Sequence, residues 1–251
     1  MRLATWNILS GRSPGASTVD VGAFRDAVAT LDADVLALQE VDRAQRRSQG
    51  IDLAGVAAEA MRAVDLRFVP ALAGPPGSWR PATGLEAPDV PAYGIALLSR
   101  LPVADWEAVR LAGAPVRVPH RPAGRRRPVL ARDEPRVAVV GRVTTPAGPM
   151  DVAATHLSFL RPWNARQLRR LLVALRHRGR PLVLMGDLNL GPRRVSRLGG
   201  MRPLVSGATF PADAPLVQID HVLGDGIPAG SASGHVVRLA LSDHRALVVD
   251  L

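Results

Sequence analysis

Residues 182–190 read LVLMGDLNL, an apolar run that ends in an acid and an amide. The run LVLM is typical of a short buried β-strand. Asp187 and Asn189 stand two positions apart on a segment that we predict to be extended, so both side chains can point the same way. The stretch therefore predicts a strand that presents a carboxylate and an amide together at its carboxyl end.

Five further islands rich in Asn, Asp, Glu and His lie beside apolar runs along the chain. Several share the form of MGDLNL, with a β-like run that delivers an acid, amide or imidazole at its carboxyl end. In α/β folds, ligands and catalytic groups gather at that rim of the sheet. Hard oxygen ligands and imidazoles brought together there predict a divalent-metal hydrolytic site. The other islands are TWNILSG (5–11), LALQEVD (36–42), ATHLSF (154–159), QIDHV (218–222) and LSDHRALV (241–248).

Strands and helices alternate between these islands, which predicts an α/β fold. Residues 21–31 form a predicted amphipathic helix with Asp20 as its N-cap, and residues 161–178 form a long helix with a leucine stripe. Residues 74–91 hold many Pro and Gly and predict a long loop. Because neither a repeat nor a linker divides the chain, we expect residues 1–251 to form a single domain. The remaining predictions are a helix at 53–63 and strands at 3–8, 35–38, 66–70, 95–99, 103–111, 137–144, 150–155, 182–185, 217–223 and 246–249.

Composition bounds the class of protein. A chain of 251 residues, 47% of them apolar, can bury a full core. No apolar stretch approaches the length of a membrane span, and the start, MRLATWNIL, has neither a long apolar region nor a small-residue cleavage site. The absence of cysteine excludes disulfides, thiol catalysis and thiolate zinc sites. We expect a cytoplasmic monomer with no transmembrane segment and no signal peptide.

The charge of the chain allows two interpretations. The formal net charge is +10, and every one of the 32 basic residues is Arg. One interpretation is attraction to a polyanion such as nucleic acid or an anionic membrane surface. The other is a solvated surface whose Arg content reflects a coding bias. The densest run, HRPAGRRRP (120–128), lies in a predicted Pro- and Gly-rich loop, where Arg125, Arg126 and Arg127 are candidates for contact with substrate phosphate oxygens.

The acids and imidazoles of the islands have chemistry of their own. Glu40 at a strand end is a natural Mg²⁺ ligand, because Mg²⁺ prefers one or two carboxylates, waters and phosphate oxygens. Asp220 could accept one N–H of His244 and fix its tautomer, which would make His244 a general base toward water. The alternative is that His221, adjacent to Asp220, is the true partner, and that His244 merely packs at the end of the sheet.

Seven short motifs follow one another along the chain: WN (6–7), LQE (38–40), YGIALLSR (93–100), THL (155–157), GDLN (186–189), IDHV (219–222) and SDH (242–244). In this order they resemble the motifs of the endonuclease/exonuclease/phosphatase superfamily, which includes DNase-I-like nucleases, abasic-site endonucleases, neutral sphingomyelinases and inositol-polyphosphate 5-phosphatases. The resemblance covers roughly residues 2–251. It implies a four-layer α/β/β/α sandwich with two packed mixed β-sheets, and Mg²⁺- or Mn²⁺-dependent hydrolysis of phosphoesters.

The same resemblance implies a role for eight residues of these motifs. It leaves open whether Asp187 or His244 takes the proton of the attacking water. The implied roles are metal binding for Asn7, Glu40 and Asp243, phosphate contact for His156 and Asn189, orientation of the water by Asp187, and orientation of His244 by Asp220.

This chain's motifs differ from those of some branches of the superfamily, and these differences reduce the range of expected substrates. WNILSGR and LQEVD fit the abasic-site endonucleases poorly, and the cysteine-containing motif of the inositol 5-phosphatases is missing. THL and QEVD look more like the broad phosphodiesterase and sphingomyelinase-like branch. A phosphodiesterase acting on nucleic acid or on a phospholipid headgroup is therefore the first expectation. The alternatives are a phosphomonoesterase of a small or inositol-type phosphate and a non-catalytic, Arg-rich nucleic-acid binder.

Overall fold

The strands form two mixed sheets in the structure, a computed structural model that describes residues 1–120 and 129–251. Strands are numbered β1 to β15 along the chain. In spatial order, the first sheet contains β14 (Ser233–Val237), β15 (Ala246–Asp250), β1 (Arg2–Asn7), β2 (Val35–Arg43), β5 (Ala92–Ser99), β3 (Asp65–Ala73) and β4 (Arg80–Pro81). The second contains β12 (Arg202–Pro203), β13 (Asp220–Asp225), β11 (Leu182–Asp187), β10 (Gly148–His156), β9 (Arg136–Thr145) and β6 (Val103–Leu111), while β7 (Arg117–His120) pairs separately with β8 (Val129–Arg132).

The helices are α1 (Val21–Leu31), α2 (Leu53–Met61), α3 (Trp163–Ala174) and α4 (Pro192–Gly199). The first begins as predicted, because the Asp20 side chain accepts a hydrogen bond of 3.0 Å from the Ala23 amide. The predicted helix over 161–178 is shorter, since its last turn is a 3₁₀ turn at Leu175–His177. The sequence did not predict α4, a short helix that packs Val195 and the partly buried Leu198 against the core. Within the described residues, no helix is both long and apolar enough to cross a membrane.

Alternation along the strands stacks these elements into four layers. Neighbours such as Leu3 and Ala4 are both fully buried, but they belong to different apolar clusters. One cluster fills the space between the two sheets, a second packs α1 and α2 on the first sheet, and a third packs α3 and α4 on the second sheet. Because successive side chains of a strand point to opposite faces, strands buried on both faces need continuous apolar runs. The expected α/β/β/α sandwich is thus confirmed.

Strand direction brings the polar islands to one end of both sheets. The parallel pairs β1–β2 and β10–β11 end near Asn7, His156 and Asp187. β13 runs antiparallel to β11 and places Asp220 opposite Asp187. Asp220 therefore opens its strand, and the prediction of a strand over 217–223 began too early. His244 precedes β15, which is antiparallel to β1, so it reaches the same end.

Gly186 permits the close pairing of the two strands that carry His156 and Asp187. Its φ is 138°, and a Cβ at this position would lie 1.9 Å from the carbonyl oxygen of Thr155. L-amino acids with a side chain rarely adopt such a φ. Replacing Gly186 by any residue with a side chain would therefore push β10 and β11 apart beside His156 and Asp187.

Candidate active site

A β-bulge places Glu40 at the end of the first sheet. The register between β2 and β5 shifts between Gln39 and Val41, and Glu40 adopts a left-handed φ of 58°. Such a conformation costs a non-glycine residue on the order of 1–3 kcal/mol, and bulges redirect side chains beside active sites. The surrounding sheet thus holds Glu40 in a strained backbone that directs its carboxylate toward Asn7.

Asn7 connects the acids of the two sheets. Its Nδ2 donates hydrogen bonds of 3.2 Å to Glu40 Oε1 and of 3.2 Å to Asp187 Oδ2. Its Oδ1, the atom that a metal would need, accepts a hydrogen bond of 3.2 Å from the Leu9 amide. In this arrangement Asn7 bridges two carboxylates, and a half-turn of its amide would offer Oδ1 to a cation.

The tautomer of His156 follows from its neighbours. The guanidinium of Arg136 lies 3.4 Å from His156 Nδ1 and can only donate, so Nδ1 accepts and the proton sits on Nε2. That nitrogen lies 3.4 Å from Asp187 Oδ2 and 3.5 Å from Asn189 Nδ2. Burial, reinforced by the charges of Arg136 and His244, lowers the pKa of His156 well below its usual value. His156 is therefore a neutral donor that faces the cavity.

Asn189 is held beside His156 by the backbone. It has a left-handed φ of 51° rather than the extended conformation we predicted. Its side-chain nitrogen Nδ2 donates to the backbone carbonyl of Leu157 at 3.1 Å, while its backbone carbonyl accepts from Asn164 Nδ2 at 2.8 Å. Its backbone N–H donates to Asp187 Oδ1 at 2.9 Å. The turn, rather than strand alternation, brings Asn189 and Asp187 together.

Asp220 and His244 form a buried hydrogen-bonded pair. His244 Nδ1 donates to Asp220 Oδ2 at 2.9 Å, and His244 Nε2 lies 3.9 Å from Asp187 Oδ2. Burial disfavours the charged imidazole, but Asp220 outweighs it, with Asp187 and Asp243 adding to the effect, and the pKa of His244 is raised to about 10. In the metal-free protein, His244 is therefore a charged donor at neutral pH.

His221, the alternative partner of Asp220, points elsewhere. Its Nε2 donates to the carbonyl of Leu190 at 2.7 Å. Burial lowers the pKa of His221, so the ring is neutral at neutral pH. The side chain of Asp220 thus pairs with His244, which reaches it from the other sheet.

The acids of the site carry more negative charge than their surroundings accommodate. Burial, followed by the charge of Asp220, raises the pKa of Asp187 to about 7. Glu40 keeps part of its surface toward the cavity, yet burial also raises its pKa, and the charge of Asp243 adds to the rise. Asp243 itself is half-buried. Such a cluster favours either protonation or a bound cation.

The residues present fit a divalent cation. Ligand atoms of Asp187, Asp220 and His244 all lie within 4.8 Å of one another. Among the described residues, Asp220 Oδ1 is buried without a hydrogen-bond partner. Because His244 is already engaged by Asp220, a carboxylate is the better donor for a hard cation than the imidazole is. Glu40 offers such a carboxylate at the cavity, with the charge of Asp243 acting on it.

A cavity of about 310 Å³ lies between the ends of the sheets, and the predicted site residues in its wall are Glu40, His156, Asp187, Asn189 and His244. Sequence reasoning missed part of its wall, above all Arg136, which begins the apolar strand RVAVV and could have been noticed as the lone charge there. The predicted contacts Arg125, Arg126 and Arg127 lie outside the described residues. The other missed wall residues are Tyr93, Glu134, Phe159, Phe210 and Ile219.

A two-sheet sandwich with acids, amides and imidazoles at one end of both sheets defines a class of phosphoester hydrolases. The chain belongs to the Endonuclease/Exonuclease/phosphatase family, whose family model matches residues 4–244. No curated protein matches the sequence at a significant level.

Solved structures share the fold at low sequence identity. An endonuclease/exonuclease/phosphatase from Beutenbergia cavernae DSM 12333 is 22% identical, with a TM-score of 0.67, over 99% of this chain and 70% of that one. Truncated TDP2 from Caenorhabditis elegans is 16% identical, with a TM-score of 0.62, over 99% and 95%. A mannosyl-6-phosphatase from Bacteroides thetaiotaomicron VPI-5482 is 15% identical, with a TM-score of 0.63, over 100% and 98%. At these identities the similarity shows the fold alone.

Replacing Asp187 by Asn is expected to stabilise the metal-free protein more at pH 8 than at pH 5. A carboxyl whose folded pKa is raised to about 7 favours folding when protonated, and this contribution is lost as pH rises toward and through 7. The wild-type protein then carries a buried charge that costs on the order of a few kcal/mol. The measurement is the difference in Tm between variant and wild type, in EDTA, at both pH values. Asp26→Asn, exposed on α1, is the control, and a difference that is equal at both pH values would contradict the prediction.

Proposed function

We propose that the protein is a divalent-metal-dependent phosphodiesterase that acts on nucleic acid or on a phospholipid headgroup. One observation carries the proposal: an Asp220–His244 pair lies beside Asp187 at a cavity whose walls also carry Glu40 and the donor His156. Groups from both ends of the chain meet at this cavity, which supports a single domain over residues 1–251.

The donors of the cavity would bind and orient the phosphate. His156 Nε2–H and Asn189 Nδ2 lie side by side and can each donate to a phosphoryl oxygen. Arg136 adds a buried positive charge behind His156. Donors fixed where negative charge develops are the usual largest contribution to this class of catalysis. We also assign Arg125, Arg126 and Arg127 to substrate contact, on their sequence alone.

A divalent cation would be held by Glu40 and Asp243, with Asn7 Oδ1 after rotation of its amide, and would neutralise charge on the phosphoryl group. The attacking water would hydrogen-bond to Asp187, whose raised pKa suits a proton acceptor near neutral pH. A bond forms between this water and phosphorus, and Asp187 takes the water's proton. The ester P–O bond breaks, and the leaving oxygen keeps the electron pair and takes a proton from solvent to give the alcohol. His244, held by Asp220, donates to a phosphoryl oxygen as charge develops there.

The proposal is tested by turnover of a substrate panel with Mg²⁺, Mn²⁺ or EDTA. The panel contains single- and double-stranded DNA, RNA, sphingomyelin and phosphoinositides, together with bis(p-nitrophenyl) phosphate and p-nitrophenyl phosphate. We expect metal-dependent turnover, abolished by EDTA, with the diester hydrolysed faster than the monoester. Faster hydrolysis of the monoester would favour the phosphomonoesterase alternative. Binding of nucleic acid without turnover of any substrate would favour the non-catalytic binder.

A further inference from the structure

A second cavity of about 230 Å³ adjoins the catalytic one, and Arg136 forms part of the wall of both. The second cavity is lined by Arg110, Arg136 and Arg170 together with apolar residues. Among the described residues that line it, none is acidic. Three cations around a void without a balancing acid are a favourable setting for an anion.

Arg136 is the strongest part of this arrangement because it is buried. Only 6% of its surface is exposed, and its Nε is buried without a hydrogen-bond partner among the described residues. One terminal nitrogen faces His156, and the other lies 3.6 Å from the half-exposed carboxylate of Glu134. A buried cation is costly unless it is paired and fully hydrogen-bonded. A coding bias toward Arg on the surface does not account for a buried one.

The other two arginines are available to a ligand. Arg110 lies on β6, and one of its terminal nitrogens is 3.4 Å from the carbonyl of Pro70. Its other terminal nitrogen, Nη2, packs against Gly84, and a Cβ added to Gly84 would lie 2.7 Å from this nitrogen. Arg170 is exposed on α3. In the part of the chain that the structure describes, neither Arg110 nor Arg170 has an acidic side chain at ion-pair distance.

We propose that this cavity, the arginine subsite formed by Arg110, Arg136 and Arg170, binds a second, non-scissile phosphate of the substrate. The substrate would then carry at least two phosphate groups, one over His156 and one in the arginine subsite. The second phosphate is either the next phosphodiester of a nucleic acid strand or a further phosphate on a small or inositol-type molecule. This inference rests on the proposed function for the identity of the first phosphate.

Kinetics on a matched pair of substrates tests the subsite. Thymidine 3′-(p-nitrophenyl phosphate) is compared with the same compound carrying a 5′-phosphate. We expect the 5′-phosphate to lower KM in the wild-type protein, and the double variant Arg110→Ala/Arg170→Ala to raise KM for that substrate about tenfold or more, as expected for lost charge-assisted contacts. The kcat, and the KM for the substrate without the 5′-phosphate, should change less than about twofold. Arg67→Ala, exposed on β3, is the control.

Binding in EDTA separates the subsite from catalysis and identifies the source of the phosphate. Calorimetry measures thymidine 3′,5′-bisphosphate and inositol 1,4-bisphosphate against the wild type, the double variant and Arg67→Ala. Weaker binding of the nucleotide alone to the double variant supports a nucleic acid strand, and weaker binding of the inositol compound alone supports a small polyphosphate. Equal affinity of wild type and double variant for both compounds would overturn the proposal. Because no turnover is needed, this result is independent of the substrate panel.

Discussion

Glu40→Gln is expected to lower turnover by about three orders of magnitude while leaving the fold intact. A bound cation contributes several kcal/mol of charge stabilisation to phosphoryl transfer, which corresponds to a factor of that size. An amide carries no charge and is a poorer ligand for a hard cation. Folding should be unaffected, because the Oε1 of Gln can still accept the hydrogen bond from Asn7 Nδ2. The change also removes a carboxylate whose pKa is raised by burial.

The measurement is kcat across a Mg²⁺ titration, with Tm as the check on folding. Glu59→Gln is the matched control, since Glu59 is an exposed carboxylate on α2 that is ion-paired to Arg25 at 2.9 Å. We expect Glu59→Gln to retain wild-type turnover. Near-wild-type activity of Glu40→Gln with an unchanged Mg²⁺ requirement would exclude Glu40 as the ligand.

His244→Ala and Asp220→Asn are each expected to lower kcat by about two to three orders of magnitude, the usual loss when one donor to developing negative charge is removed. Asp220 fixes the orientation of His244 and favours its charged form through a hydrogen bond of 2.9 Å, and His244 in turn faces Asp187. The double variant should lose far less than the product of the two single effects, because groups that act as one unit are not additive. The measurement is kcat for the four proteins of the cycle at saturating metal.

Two histidines serve as comparisons for this cycle. His221→Ala removes a buried donor to the carbonyl of Leu190, so it should reduce stability more than kcat. His177→Ala, exposed beside Glu107, should change neither. Fully multiplicative effects of the two variants, or a mild His244→Ala beside a severe His221→Ala in kcat, would show that Asp220 and His244 are not a catalytic pair.

Local pattern predicted those elements whose burial is periodic. The helix Val21–Leu31 and the strand Val103–Leu111 have the predicted bounds. Strand β2 was predicted to stop at residue 38, because Gln39, Glu40 and Asp42 interrupt its apolar run, yet it continues through the bulge to Arg43. Strand β14 is a half-exposed edge strand, and its pairing with β15 depends on tertiary contacts that its sequence does not encode.

The candidate site was predictable as a set of residues but not as an arrangement. Motif order identified the acids, amides and imidazoles, whereas the bridging role of Asn7 and the left-handed turn at Asn189 depend on backbone geometry. Arg136 was difficult to recognise as a site residue because it is one of 32 arginines in the sequence. Its position beside His156 becomes visible only when β9 is paired with β10.

The candidate site is divided between the two halves of the sandwich, since Asn7, Glu40 and His244 come from one sheet and Asp187 and its neighbours from the other. The chain has no cysteine and so no disulfide joins the two halves. Their relative position therefore depends mainly on the apolar side chains packed between the two sheets. A misplacement of about 1 Å can cost a factor of about 100 in rate. The thickness of this apolar layer therefore determines the distance between His244 and Asp187. Interior residues such as Val139 then affect the geometry of the candidate site as well as folding, although they lie between the sheets and not at the reacting groups.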